Sequence, residues 1–203
     1  KQDIGFHSEA TPPGVISLVR EGVINGTRKT LLPERVVVTS IGGGSREDMQ
    51  WINNNPLFYL VDLLWLEDIR VISQNDNMVA INSCLQIDLT GQVVSDNTGA
   101  QIVSGFGGQV DFIRGAAASK GGRPIIAMPS TAKRGELSRI VSEHPQGYGI
   151  TTTRADVHWV ATEYGLVDLF GLSRKQRTKA LIELAHPNFR EQLQEDAIRL
   201  GLA

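Results

Sequence analysis

Arg35-Val-Val-Val-Thr-Ser-Ile41, followed by Gly42-Gly-Gly44 and Ser45-Arg-Glu-Asp48, decides the fold class. The first seven residues are rich in β-branched side chains, which suit a pleated, buried strand. Three glycines stop that run, and Ser45 with acidic residues just behind it has the pattern of a capped helix start. A strand, a loop and a helix in immediate succession are the unit from which parallel sheets are assembled. The same alternation continues outward. Residues 13–21 place Val15, Ile16, Leu18 and Val19 at helical spacing and stop near Gly22. Residues 69–73 and 78–82 read as short strands, and residues 85–89 and 92–94 flank Thr90-Gly91 as a hairpin would. Residues 124–128 and 157–162 read as further buried strands, each followed by polar, glycine-containing sequence. Residues 173–185 put Ala180, Leu181 and Leu184 on one helix face, and His186-Pro187 interrupts before a last helix to about Leu200. The expected fold is α/β, with a mainly parallel, partly mixed sheet flanked by helices.

Composition narrows the function classes. With 203 residues, 41% of them hydrophobic, the chain can bury a sizeable core as one domain or at most two small ones. Twenty basic and 22 acidic residues are interspersed, for a net charge of −2, so no field is set up for nucleic acid or an anionic membrane. No apolar run approaches the ~20 residues of a membrane span, and the start lacks the basic-then-apolar pattern of a secretory signal, so a cytoplasmic location is expected. A single cysteine, Cys84, forms no internal disulfide and no cysteine metal cluster; its apolar, alternating surroundings make it a buried structural thiol. The histidines, His7, His144, His158 and His186, are too dispersed for a metal pattern, and no metal is expected. Three read as structural, whereas His7 would share a face with Glu9 in an extended segment and could border a substrate. Ser8 lacks the Gly-x-Ser-x-Gly elbow of a serine hydrolase.

Two motifs invite a chemical reading together. Gly5-Phe-His-Ser-Glu9 ends on a carboxylate, and Ser104-Gly-Phe-Gly-Gly-Gln-Val-Asp-Phe112 offers closely spaced backbone amides. A carboxylate nucleophile generates an oxyanion, and preorganised N–H donors stabilise it. Glycine lets a thioester approach the backbone and tolerates positive φ. Taken alone, the glycine run is a tight turn with a bulge. Gly42-Gly-Gly-Ser45 lacks the Lys-Ser/Thr ending of a P-loop and reads mostly as a structural turn. Asn82 and Glu163 are polar residues at the ends of apolar strands, where side chains can reach a cleft. Lys133, in Ser130-Thr-Ala-Lys-Arg-Gly135, is a loop cation that suits a phosphate partner. Asp111 is expected to tie down the glycine run.

These motifs, with Asn82-Ser-Cys-Leu-Gln-Ile-Asp-Leu-Thr-Gly91, Ala132-Lys133 and Thr162-Glu-Tyr-Gly-Leu-Val-Asp-Leu169, resemble in order those of the acetyl-CoA hydrolase/transferase family, in particular the carboxy-terminal half of its 4-hydroxybutyrate CoA-transferases. The resemblance covers essentially the whole chain. It implies the CoA-transferase (NagB/RpiA-like) fold and a role for Glu9 as the nucleophile that becomes a glutamyl-CoA thioester. It implies Gly105, Gly107 and Gly108 as oxyanion and CoA-binding residues and Lys133 as a CoA phosphate contact. Asn82 would orient Glu9 or a substrate oxygen, and Glu163 would position groups or move a proton. Ala10 stands where the family usually has Met, a change in packing rather than chemistry. The implied activity is transfer of CoA between small carboxylic acids of the 4-hydroxybutyrate, acetate or butyrate type, with CoA as a substrate and no permanently bound cofactor. Hydrolysis of acetyl-CoA by the same thioester is the alternative, and a non-catalytic binding module is another. Starting at Lys1 and running straight into the nucleophile motif, residues 1–203 read as the carboxy-terminal catalytic domain, partnered by a missing amino-terminal half and by a second copy in a dimer.

Overall fold

The computed structural model describes all 203 residues and divides them into two compact units. Residues 1–78 with 115–122 form the first, and residues 79–114 with 123–203 the second.

In the first unit, β1 (Phe6–Thr11) pairs parallel with β2 (Val36–Ile41), which pairs parallel with β3 (Phe58–Leu60). Helices α1 (Pro13–Arg20) and α2 (Arg46–Ile52) follow β1 and β2. The expected capping box is formed: Ser45 Oγ accepts from Asp48 N, and the Asp48 carboxylate accepts from Ser45 N. Ile16, Val19, Val36, Val38, Ile52 and Phe58 make the core under this sheet. Two short helices complete the unit, α3 (Leu63–Leu66) and α4 (Ile69–Ile72).

The α4 segment corrects an expectation, since residues 69–73 read as a strand. Asp62 and Asp68 each accept hydrogen bonds from amides of the turn that follows, so two capped turns win over β-branched propensity. Ile72 is fully buried and packs on Gly115, where an added Cβ would come within 2.5 Å of it.

The second unit holds a four-stranded mixed sheet in the order β14-β13-β9-β4. In chain order its elements are β4 (Val79–Asn82), the hairpin β5 (Gln86–Asp88) and β6 (Val93–Val94), the pair β7 (Asn97–Thr98) and β8 (Gln101–Ile102), and the start of helix α5 (Gln109–Ala118), whose residues from Gly115 on belong to the first unit. Strand β9 (Arg123–Ala127) follows, then the hairpin β10 (Thr131–Ala132) and β11 (Leu137–Ser138), and β12 (Ile140–Val141), which pairs parallel with β5. The hairpin β13 (Trp159–Thr162) and β14 (Gly165–Asp168) leads to α6 (Arg174–Leu184) and α7 (Pro187–Arg199). Strands β4, β9 and β13 are parallel and β14 is antiparallel, so the mixed α/β expectation holds.

Side chains that share a register row share a face of the sheet. Ile126 and Val160 face a core completed by Leu169, Leu181, Leu184 and Leu193, and Ala80 on the same face is also buried. The opposite face carries Val79, Ile81, Ile125, Trp159 and Leu166, of which Ile81 is 69% and Leu166 55% exposed. Helix α5 was not expected from the sequence. Its glycines obscure a helical spacing in which Phe112, Ile113 and Ala116 are buried.

Candidate active-site elements

Glu9 lies in β1, the extended segment in which it shares a face with His7. Thr39 Oγ1 and Ser40 Oγ, from β2, donate to the Glu9 carbonyl at 2.6 and 3.4 Å, which pins the backbone at this residue. The half-buried side chain makes no hydrogen bond or ion pair, so its carboxylate is held by the strand and left without a partner.

The neighbours of Glu9 are structural. His7 shares its face, as extended spacing requires, but is 6% exposed, and its Nε2 lies 2.9 Å from the Leu66 carbonyl. Burial lowers the His7 pKa, so the ring is a neutral post under the strand and does not border open space. Lys29, which the sequence reading passed over, donates from Nζ to Phe6 O at 3.1 Å and Arg35 O at 3.2 Å, fastening the starts of β1 and β2 together. Burial brings its pKa down to about 8. Gly42 packs where a Cβ would meet Ala10 at 3.3 Å, so the second glycine cluster is the clearance beside the Glu9 strand.

In the second unit, parallel strands bring other candidates to one edge. Asn82 is the last residue of β4, Ser130 follows β9 and Glu163 follows β13, so all three leave the carboxyl ends of neighbouring strands. That edge is where open α/β sheets bind ligands. The half-buried Asn82 side chain makes no hydrogen bond. Glu163 is fully engaged: its carboxylate accepts from Ser130 Oγ at 2.5 Å and from Ser130 N at 2.8 Å. The Ser130 bonds lower the Glu163 pKa, so the group stays ionised and fixes the loop after β9. A carboxylate so stabilised is a weak proton donor.

The run from Gly105 to Gly108 ends as the lead-in to α5. Gly107 has φ +56°, the left-handed region that glycine tolerates best, and Gly108 O accepts from Phe112 N to begin the helix. The amides of Gly107 and Gly108 have no backbone acceptor, as expected ahead of a first helical turn. Asp111 sits within that turn and makes no bond to the glycines. Their tie is Gln109, which is 7% exposed. Its Nε2 donates to Ser83 O at 2.7 Å, and its Oε1 accepts from Ser95 Oγ and Thr152 Oγ1. This fastens the glycine run to the residue after Asn82. The sequence offered one signal for Gln109, a lone amide closing the glycine run.

The acetyl-CoA hydrolase/transferase C-terminal domain matches residues 44–197. The chain belongs to that family. It is 48% identical over 196 residues to the 4-hydroxybutyrate coenzyme A transferase of Clostridium kluyveri, covering 97% of this chain and 46% of the relative. Among solved structures, RipA from Yersinia pestis superposes with a TM-score of 0.92 at 44% identity, covering 100% of this chain and 46% of RipA. A 4-hydroxybutyrate CoA-transferase from Porphyromonas gingivalis gives a TM-score of 0.83 at 43% identity, covering 98% of this chain and 46% of that one. The chain thus spans about half the length of the relatives it matches, and the CoA-transferase fold is established.

Other candidates fall outside hydrogen-bonded frameworks. Lys133 stands exposed at the tip of the β10–β11 hairpin, and it and Arg134 are both left-handed, at φ +47° and +59°. Two such residues in a row store strain, which directs attention to this tip. Cys84 is 4% exposed, contacts Met128 Sδ at 3.1 Å, and burial pushes its thiol up to about 12, so it is no nucleophile at neutral pH. His144 meets the Gln92 carbonyl, His158 stacks on Phe170, and His186 caps α7. No group of three or more His, Cys, Asp or Glu side chains is arranged to hold a metal, and no helix is long and apolar enough to cross a membrane.

Proposed function

We propose that this chain is the carboxy-terminal catalytic part of a cytoplasmic CoA-transferase acting on small carboxylic acids, with Glu9 as the covalent carrier. One observation carries the reading: Thr39 and Ser40 fasten the Glu9 main chain while the Glu9 carboxylate makes no hydrogen bond or ion pair. The names of its relatives supply the substrate class.

The chemistry balances with no permanently bound cofactor. The Glu9 carboxylate attacks the acyl-CoA carbonyl, and CoA thiolate leaves to give a mixed anhydride. The thiolate then attacks the Glu9 carbonyl, releasing the first acid and leaving glutamyl-CoA. An incoming carboxylate reverses both steps. The free amides of Gly107 and Gly108, and the clearance at Gly105, suit stabilisation of the oxyanion in each attack; one such donor is worth about 10² to 10³ in rate. Asn82 offers its carboxamide to a substrate oxygen, Lys133 its ammonium to a CoA phosphate, and Glu163 acts as a positioning residue through Ser130. A transferase needs an acceptor acid and a hydrolase does not. Acid-dependent exchange supports the first, and thiol release without acid would support the second.

The sheet face around Ile81, Trp159 and Leu166 leaves large apolar side chains exposed, Ile81 at 69% and Leu166 at 55%. We assign it to the remaining portion of a protein twice this length, as the relatives are. Mixing the chain with that portion should give a one-to-one complex by light scattering, weakened by Ile81→Glu. A homodimer of this chain, lost in the same variant, would assign the face to a second copy.

The test of function is to incubate the protein with acetyl-CoA, reduce with borohydride and map the peptides by mass spectrometry. Modification confined to Glu9 and absent from Glu9→Gln is the expected result. CoA exchange with Glu9 unmodified would refute the nucleophile.

A further inference from the structure

A cavity of about 390 Å³ opens in the second unit, lined by Thr90, Arg154, Ala155, Leu172, Arg174 and Arg177. It lies among the β5–β6 turn, the loop ahead of β13 and the first turns of α6. Three of its lining residues are arginines, and none of them forms an ion pair within 4.0 Å. Arg177 is half-buried, and its Nη1 donates to the Arg154 carbonyl at 2.7 Å, which fixes the loop that bears the second charge. Gly91 makes this reach possible. Buried at φ +96°, it leaves room where a Cβ would stand 3.3 Å from Arg177 Nη1.

Burial first, and the like charge of Arg154 second, lower the Arg177 pKa, while Asp168 opposes both. Asp168 is the carboxylate facing this cluster, and its Oδ1 already accepts from Phe170 N. Asp156, next along the loop, is taken by Arg114. His158 is held towards its neutral form by burial and adds no compensating charge. Three arginines therefore line the pocket beside one carboxylate, that of Asp168. The Arg177 guanidinium is held against the Arg154 main chain by a dedicated hydrogen bond and a glycine clearance, so the two like charges are kept within electrostatic reach of each other.

We propose that this pocket binds a diphosphate group. Planar guanidinium forks match phosphate oxygens bidentately, several donors of Arg154 and Arg174 are uncommitted, and the volume lies in the range of small-ligand sites. A free diphosphate and the diphosphate of a nucleotide share this chemistry.

The test is calorimetric titration of the protein with inorganic pyrophosphate and, separately, with adenosine diphosphate, at one ionic strength set by chloride. Saturable binding is expected, weakened about tenfold in Arg154→Gln and in Arg174→Gln and further in the double variant. Both side chains are exposed, so the variants should unfold at or above the parental temperature without ligand, because a repulsion is relieved. Binding of both probes marks a free-diphosphate pocket, and binding of adenosine diphosphate alone marks a nucleotide pocket. No saturable heat from either probe, or an affinity unchanged in the double variant, overturns the proposal.

Discussion

The strand that carries Glu9 and the carboxyl edge of the second sheet treat their acidic groups in opposite ways. At the edge, Glu163 accepts two hydrogen bonds from Ser130 and stays ionised as part of the frame. On β1, the main chain is fastened by Thr39, Ser40 and Lys29 while the Glu9 side chain is left free. A nucleophile must spend its lone pairs on substrate, so a fixed backbone with an unengaged carboxylate suits covalent chemistry. A positioning group needs the reverse. Two carboxylates of the same type are therefore separated by their partners into a reactant and a strut.

That contrast can be broken by substitution, beginning with the largest effect. Glu9→Gln should lower CoA exchange by about 10⁴-fold or more with little change in unfolding temperature, because the side chain supports no other group. An exchange assay beside thermal unfolding measures both. Gly107→Ala should cost about 10²-fold in kcat, with about 1 kcal/mol of stability, since alanine resists φ +56° and the amide is displaced. Steady-state kinetics that show only a KM change would assign Gly107 to binding alone.

Lys29 gives the first unit a pH signature. Its folded pKa of about 8 lies below the ordinary 10.5, so the folded state releases the proton first, and between those values the unfolded chain binds more protons. Stability should therefore rise from about pH 8 to 10.5, by no more than about 3 kcal/mol, and urea titrations of Lys29→Met should lack that rise.

Glu163 gives a pH dependence of the same sign, in the acid range, in the second unit. Its pKa is depressed below 4.5, so its support of the Ser130 loop is present above the ordinary carboxyl range and lost as the pH falls through the folded value. Glu163→Gln should reduce exchange about tenfold, chiefly in kcat, and remove that acid-side loss. Ser130→Ala should mimic it, which a direct proton-transfer role for Glu163 would not produce. The smallest effect belongs to Cys84: alkylating reagents should leave native protein unmodified and active, and should label it after unfolding.

Much of the scaffold was legible because it depends on neighbours in sequence. The capped start at Ser45, the Thr90-Gly91 turn, and the α6–α7 break at His186-Pro187 each follow from a few adjacent residues. The burial of Cys84 followed from its alternating apolar surroundings. Strand β1 was hidden because its pairing partner, β2, lies 30 residues away and its own side chains are mixed. The α4 segment was misread because β-branched residues outweighed two aspartate caps whose bonds only the fold reveals. Within the site, the motif residues were found by type and spacing, but their supports were not. Ser130 is 33 residues from Glu163, Ser83 is 26 from Gln109, and Lys29 is 23 from Phe6. Long-range hydrogen bonds leave no periodic trace in a sequence.

The most direct test follows the oxygen atoms. Attack by an acceptor carboxylate on glutamyl-CoA, followed by thiolate attack on the acyl carbonyl of the anhydride, leaves one acceptor oxygen on the enzyme carboxylate. Protein turning over acetyl-CoA with acetate labelled with heavy oxygen should therefore carry the label at Glu9 and at no other acidic residue, as read by tandem mass spectrometry of the peptide. Sustained exchange with an unlabelled Glu9 would contradict the central claim that this unpartnered carboxylate carries CoA as a thioester.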